Sequence, residues 1–319
     1  LNRAERVKPA TALSLGKDQG EVEEISYRAK GQGPTVILLP MMLSASQWDP
    51  IVNNLASDYC VISLGGRHLG GVSFIDGRGR DPGYVRAVRS HVDEIEIQPG
   101  ETILDVGCGP GTLDRWLARR TNGANPIQSV DINGYFLREA ATLVEAEGLQ
   151  DIITFGKGNA EDLPFPENNF DIVMSHTVME ECDADKMLVE MIRVAKPGGR
   201  VAVMVRATDR RSLWNMPLND TVREIVETPV TSVGVGGCAD VSLYSRFGKS
   251  GLIDLRLFPT TMTVTDPESY SWRYYEPYIF SLLDEAGISQ WQDAKAAAIK
   301  DGSIMMARWM HCAVGTKPQ

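Results

Sequence analysis

With 319 residues, 43% of them hydrophobic and 23% charged, the chain is long enough for one large domain or two small ones and has the composition of an ordinary globular protein. A formal net charge of −10 argues against nucleic acid as the main partner, because binding to a phosphate backbone rests on many Lys and Arg contacts. No run of about 20 apolar residues is present, so no membrane span is expected. The scattered Cys60, Cys108, Cys182, Cys238 and Cys312 form no Cys/His cluster, which predicts no metal and reduced thiols in a cytoplasmic protein.

Residues 1–22 lack an apolar signal-peptide core and read as a polar leader. From 23 to about 100 a small extension is expected. Ile25–Ala29 is a short strand. Thr35–Leu39, a β-branched run between Gly33-Pro34 and Pro40, reads as a buried strand. Ser46–Ser57 carries Trp48, Ile51, Val52 and Leu55 at helical spacing after Ser44 as a cap, and Tyr59–Leu64 is a further strand. That β-α-β order predicts a parallel unit. The glycine- and arginine-rich Gly65–Gly83 reads as loop, and Tyr84–Glu94 as helix.

From 101 the pattern alternates regularly. Strands are expected at Thr102–Val106, Pro126–Asp131, Ile152–Lys157, Phe170–Ser175 and Arg200–Val205, the last after a Pro197-Gly198-Gly199 turn. Helices are expected at Leu113–Arg120, Tyr135–Glu147 and Ala184–Ala195. Such alternation implies a parallel sheet covered on both faces. A helix at Val241–Ser250, an extended run at Ile253–Val264, a helix at Ser289–Lys300 and a strand at Ala307–Val314 can complete the same sheet, with an insertion at about 265–300.

The strongest motif is ILDVGCGPGTL, residues 103–113. A strand ends at Asp105-Val106, and Gly107, Gly109 and Gly111 follow at alternate positions before a helix. Glycine there permits a tight turn and close approach of a ligand to the backbone. A dinucleotide fingerprint would read GxGxxG. Here the spacing is DxGxGxG, and a carboxylate at the strand end repels a pyrophosphate but attracts an ammonium group.

Residues 101–207 resemble the class I S-adenosylmethionine-dependent methyltransferases, in particular the ubiquinone and menaquinone C-methyltransferase subgroup. The resemblance implies a Rossmann-like α/β sheet, with 101–319 as the cofactor domain and S-adenosyl-L-methionine as the cofactor. Asp131, in SVDIN, stands where that family places an acidic residue on the ribose hydroxyls, with Ile132 beside it. GNAEDLPFPENNFDIV, residues 158–173, resembles the family stretch GDAxxLPFxDxxFD. Asn159 stands in place of the usual Asp at the adenine amino group, with Ala160 next to it. KPGGR, residues 196–200, matches the turn before the fifth strand. Asp105, Gly107, Gly109, Gly111, Asp131, Ile132, Asn159 and Ala160 are thus the implied cofactor residues.

The same resemblance puts the transferable methyl near SHTVMEECD, residues 175–183, where His176 can contact cofactor or accept a proton from an acceptor hydroxyl, amine or thiol. In GGRHLGGVSFIDGRGRDPGYVRAVRSH, residues 65–91, the family commonly has a substrate-covering segment. Tyr84 and His91, seven apart, share a helix face there and join His176 as candidate catalytic residues. Arg67, Arg78 and Arg80 can hold an anionic substrate or simply balance an acidic surface. The aromatic segment 270–280, YSWRYYEPYIF, is a candidate lid, although core packing is the commoner cause of such clustering.

Residues 27–64 resemble the opening of an α/β-hydrolase, but Pro40-Met41 replaces its His-Gly pair and no GxSxG elbow occurs in the chain. The expected activity is therefore methyl transfer to a small molecule, by a protein that is not a hydrolase and for which a homodimer stays open. Non-methylating chemistry on the same fold, such as dehalogenation or demethylation, and a non-catalytic binding role are the alternatives.

Overall fold

The computed structural model describes residues 19–22, 25–39, 48–65, 69–229 and 233–319. The expected leader up to residue 18, Pro40-Met41, Ser44, Ser46 and Arg67 lie outside the described residues. The chain divides into two compact units, 1–71 and 72–319.

In the first unit, β1 (Gln19–Val22) and β2 (Ile25–Lys30) form an antiparallel pair. β4 (Cys60–Gly65) runs antiparallel to β2 and parallel to β3 (Thr35–Leu38), giving the order β1-β2-β4-β3. With α1 (Asp49–Leu55) between β3 and β4, the expected β-α-β unit is present. Two expectations are corrected. Residues 19–22 are strand rather than leader, because their backbone pairs with β2. The run at β3 is not buried: Ile37 is 59% and Leu39 57% exposed. β3 is an edge strand, so its apolar composition set its strand geometry without securing a covering layer.

The glycine-rich stretch after β4 is also corrected. Residues expected as loop form α2 (Gly70–Arg78), despite three glycines that weaken it. Its support is tertiary: Asp76 makes a buried ion pair with Arg115, whose guanidinium also donates to the Pro110 carbonyl at 2.8 Å. Next comes α3 (Pro82–Asp93). Asp81 caps it by accepting from the Gly83 amide at 2.9 Å, and Pro82 sits at the first position, where a missing N–H costs nothing.

The cofactor-type sheet of the second unit follows the alternating pattern within a residue or two. Its strands are β5 (Ile103–Val106), β6 (Ile127–Asp131), β7 (Ile153–Lys157), β8 (Phe170–His176) and β9 (Ala195–Arg206), all parallel. The helices α4 (Thr112–Arg120), α5 (Gly134–Ala146) and α6 (Ala184–Val194) connect them. Pro197-Gly198-Gly199 persists as an irregularity inside β9. The register there jumps from Phe170 opposite Ala195 to Ile172 opposite Arg200, and Gly198 has φ 77°.

The long β11 (Ile253–Val264) and β12 (Met306–Thr316) pair antiparallel, and β12 pairs antiparallel with β9. The order is β7-β6-β5-β8-β9-β12, with β11 and the two-residue β10 (Leu213–Trp214) also on β12. From β5 the chain first moves outward through β6 and β7, then returns to the other side at β8. Such a reversal opens a crevice at the carboxyl ends of the strands.

α8 (Ser242–Lys249) lies where the sequence places a helix, whereas β10 and α7 (Asp220–Glu227) are not among the expected elements. Between β11 and β12 run α9 (Tyr270–Leu282) and α10 (Glu285–Lys300). The aromatic segment divides: Trp272 is fully buried core, with Trp214 edge-on to it at 5.3 Å and to Trp291 at 4.9 Å, whereas Tyr274 and Tyr278 are exposed. Among the described residues no helix is long and apolar enough to cross a membrane, and no metal-ligating cluster occurs.

Candidate functional site

A cavity of about 570 Å³ opens at this reversal of strand order, within the range usual for small-molecule sites. Its floor is the turn after β5. Gly107 has φ 81°, and a Cβ there would stand 2.2 Å from the Val178 side chain. Gly109 (φ 55°) also lines the cavity, with only Ile75 near a Cβ at 3.5 Å. Gly111 (φ 69°) starts α4 but does not face the cavity; it lets the turn close on Phe155, 2.9 Å from a Cβ at that position.

The acidic groups line up along one wall. Asp131, at the end of β6, is anchored by two backbone amides: Oδ1 accepts from Asn133 at 2.7 Å and Oδ2 from Gly109 at 2.8 Å. Burial raises its pKa against those two bonds. Asp105 is 2% exposed, and burial, then the Asp114 carboxyl, push it well above the usual carboxylate range. Burial likewise raises Asp114 to about 6, against contacts with Ser129, Asp105 and Arg115. Buried side by side, the Asp105 and Asp114 carboxyls disfavour being charged together, and a bound ammonium would favour the ionised form. Ile132, 66% exposed, and Ala160 line the cavity, as does Asn159. Asn159 Oδ1 already accepts from the Glu161 amide at 3.0 Å.

On the opposite side the structure brings two histidines together. His176 ends β8 and lines the cavity. Its Nε2 lies 3.0 Å from Nδ1 of His91 on α3, and the His91 Nε2 lies 3.4 Å from the Ala313 carbonyl on β12. A carbonyl only accepts, so His91 carries its proton on Nε2. Its bare Nδ1 then accepts from His176 Nε2–H. By elimination His176 Nδ1 is the unprotonated nitrogen, and it is buried with no hydrogen-bond partner. Both rings are neutral at physiological pH. Burial lowers His91 to about 4, and burial, then His91, then Arg78 hold His176 well below the usual range.

His91 does not face the cavity, so the expectation that it acts on substrate directly is corrected. It is 0% exposed and stands behind His176, because α3 lies against β11 so closely that a Cβ at Gly83 would stand 2.0 Å from the Thr263 carbonyl. Tyr84 does line the cavity. Burial raises its phenol pKa, so at neutral pH it is a hydroxyl donor rather than a base, and the Arg78 guanidinium sits over its ring at 4.4 Å. After His176 the chain turns at Thr177, a β-branched residue held at φ 59° by its amide bond to the Met204 carbonyl at 2.8 Å. A strained residue of this kind is characteristic of functional sites.

Other arginines of the glycine-rich stretch turn away: Arg80 is exposed and pairs with Asp76 at 3.6 Å, and Arg86 donates to the Thr263 carbonyl at 3.1 Å. Sequence reasoning passed over Asp114 and Arg115, whose roles appear only when α4 is laid on its neighbours. Glu180, which the sequence alone leaves as a solvated residue near a helix start or a partner for a cationic substrate, is instead 1% exposed and ion-paired with Arg206.

The fold and this crevice define a class I methyltransferase domain. The methyltransferase-domain family matches residues 104–203. Over 202 residues the chain is 27% identical to methyltransferase GfsG of Streptomyces halstedii, covering 62% of this chain and 69% of that protein. Over 113 residues it is 38% identical to the demethylmenaquinone methyltransferase of Symbiobacterium thermophilum, covering 35% of this chain and 45% of that protein. The chain thus spans about half the length of curated relatives of the menaquinone type. The YcgJ protein of Bacillus subtilis has a similar fold, with TM-score 0.50 and 18% identity over 74% of this chain and 99% of that one. The chain therefore carries a domain of the class I S-adenosylmethionine-dependent methyltransferases.

The walls suit that cofactor. Carboxylates stand where an ammonium and ribose hydroxyls need acceptors, the Gly107 and Gly109 backbone is bare of side chains, and no phosphate-binding set of basic groups lies in the turn. Asn159 offers a weaker acceptor than a carboxylate, because it is neutral and one of its oxygen's two lone pairs is already engaged.

Proposed function

We propose that the protein methylates a small-molecule acceptor through an atom that carries a proton, an O–H or N–H, with His176 as the base. The observation that carries this reading is His176, a residue of the cavity lining whose buried Nδ1 has no hydrogen-bond partner. A neutral imidazole with a free lone pair can take the acceptor's proton as it is methylated. His91 holds the tautomer, so it is a positioning residue, and Tyr84 lies where it can hydrogen-bond the acceptor. S-adenosylmethionine, when bound, supplies a methyl group already attached to a good leaving group, so placement of the acceptor supplies much of the rate.

In this reading Asp105 takes the ammonium end, Asp131 the ribose hydroxyls, and Ile132, Asn159 and Ala160 the adenine end. Gly107 and Gly109 leave room for the cofactor's amino-acid portion, and Gly111 shapes the turn behind them. The segment 265–300 covers the acceptor side, since Tyr275 of α9 lines a small pocket beside the main cavity. Free thiols at all five cysteines support a reducing, cytoplasmic setting. The first unit serves as a structural, substrate-shaping or dimer-forming element.

The test is calorimetry followed by turnover. The protein should bind S-adenosylhomocysteine, and Asp131→Ala should weaken binding by about 10- to 100-fold, the equivalent of hydrogen bonds to a charged acceptor. Labelled S-adenosylmethionine with pooled hydroxyl- and amine-bearing metabolites should give labelled product. Unchanged affinity in Asp131→Ala would show the cofactor residues misassigned. Binding without turnover across the pools would count against methylation.

A further inference from the structure

A second, smaller pocket of about 40 Å³ adjoins the cavity and shares Arg78, Tyr84 and Thr177 with it. Roughly three water-sized probes fill such a volume. It suits one small functional group, not a second molecule. Arg78, Arg206, Arg210 and Arg308 all line it, and among the described residues no Asp or Glu does. The main cavity is the reverse, lined by Asp105, Asp131, Glu161 and Glu181.

The four arginines are not equivalent. Arg206 is committed to Glu180, and Arg210 lies 3.9 Å from Asp209. Arg78 and Arg308 have no carboxylate partner among the described residues. Each is laid on aromatic rings instead, Arg78 at 4.4 Å from the Tyr84 centroid and Arg308 at 4.3 Å from that of Tyr275. Arg78 Nε is buried without a hydrogen-bond partner. Stacking fixes the plane of a guanidinium and leaves its edge free to fork onto an oxyanion. In a protein of net charge −10, two such unneutralised arginines converging on one group-sized pocket mark a site for an anion.

We propose that this pocket is an anion subsite for the methyl acceptor, which therefore carries a carboxylate or phosphate group at its end remote from the methylated atom. The inference rests on the methyl-transfer reading. His176 and Thr177 are consecutive, one at the cavity and the other on the shared border, so an acceptor with its O–H or N–H at His176 extends its far end toward Arg308. Tyr84 spans both spaces and packs against the body between them. The basic pocket thus selects acceptors by charge, while the acidic wall selects the cationic cofactor.

The test uses protein saturated with S-adenosylhomocysteine, so that the cofactor's own carboxylate is already bound. Affinities for 4-hydroxybenzoate and 4-hydroxybenzamide are compared by calorimetry, and phenyl phosphate is compared with phenol to separate the two anion types. At least one anionic probe should bind about tenfold or more tightly than its neutral partner, the ratio expected for charge-assisted hydrogen bonds. Arg308→Gln, which keeps a donor but removes the charge, should erase that preference while leaving S-adenosylhomocysteine affinity and melting temperature unchanged. Equal binding of anionic and neutral probes overturns the proposal, as does a preference that survives Arg308→Gln. A preference that vanishes only in Arg78→Gln, together with weakened S-adenosylhomocysteine binding, assigns Arg78 to the cofactor and also overturns it. Failure of the protein to bind S-adenosylhomocysteine is a separate result that refutes the methyl-transfer reading; the probe pairs run without it still decide the anion subsite.

Discussion

Replacing His91 by leucine removes the acceptor of the His176 Nε2–H bond, 3.0 Å long, without altering any group that faces the cavity. The cost follows from burial. A buried N–H left unpaired costs about 1–3 kcal/mol. His176 can escape that cost by rotating or by moving its proton to Nδ1, and either change displaces or removes the unpartnered lone pair on Nδ1. The same 1–3 kcal/mol, charged against the transition state, lowers kcat by about 5- to 150-fold. His176→Ala sets the limit, at about 10²- to 10⁴-fold, the usual worth of a general base. Asparagine separates hydrogen bonding from packing. Its Oδ1 takes the place of the imidazole Nδ1, so His91→Asn should recover most of the loss that His91→Leu causes. The assay is labelled methyl transfer to the acceptor found by turnover, with kcat and KM for each substrate taken separately. The loss should fall on kcat, with the S-adenosylmethionine KM little changed. Wild-type kcat in His91→Leu, or equal damage by leucine and asparagine, would refute the hydrogen-bonded tautomer as the source of catalysis.

Two further outcomes test neighbouring parts of the argument. Asn159 Oδ1 accepts one bond from the Glu161 amide and keeps one lone pair for a ligand, whereas an aspartate there would add a second, charged acceptor oxygen for the adenine amino group. Asn159→Asp should therefore tighten S-adenosylhomocysteine binding by about tenfold in calorimetry; unchanged or weaker binding would move the adenine elsewhere. Acid should destabilise the protein through His91, whose pKa falls from 6.5 unfolded to about 4 folded. The unfolded chain binds the extra proton, so stability is full above pH 6.5 and is lost as pH falls toward 4, by roughly 3 kcal/mol in all. Thermal melts between pH 7 and pH 4.5 should show a smaller acid-induced drop in His91→Leu than in wild type, and parallel curves would contradict the buried neutral ring.

How far the sequence could be read depended on whether the deciding interactions are local. The strands from β5 to β9 are continuous apolar runs between turn residues, and buried parallel strands need little more, so their positions were legible. α7 also carried a local signal, Asn219 accepting from the Val222 amide ahead of apolar Val222 and Val226, but at eight residues its periodicity is too short to stand out from the loops around it. α2 carried no such signal: three glycines argue for loop, and its support comes from distant residues, among them Arg115, 39 residues beyond Asp76, and Tyr274, stacked on Phe74. β10 exists because two residues meet the free part of β12. That Asp105, Gly107, Gly109 and Asp131 meet at one cavity was readable for the same reason as the strands, since they sit at strand ends whose placement the strands determine.

The acceptor side was readable only in part, and the reason is geometric. His91 and His176 are 85 residues apart, and the bond that orients both comes from Ala313, a further 137 residues on from His176. Helical spacing put Tyr84 and His91 on one face of α3 and thus suggested that both meet the substrate. The face is shared, as expected, but it runs from the cavity into the core: Tyr84, near the start of α3, reaches the wall, whereas His91, two turns on, reaches only the back of His176. The side pocket adds the same lesson in charge. Arg78 and Arg308 lie 230 residues apart, and neither stands out in a sequence with 32 Lys and Arg. They acquire meaning when the fold lays them on Tyr84 and Tyr275 with no carboxylate between them. An excess of acid over the whole chain does not prevent a basic pocket; the acidic wall sits beside it, and on the proposed reading a cationic cofactor and an anionic acceptor would be sorted into those adjoining spaces.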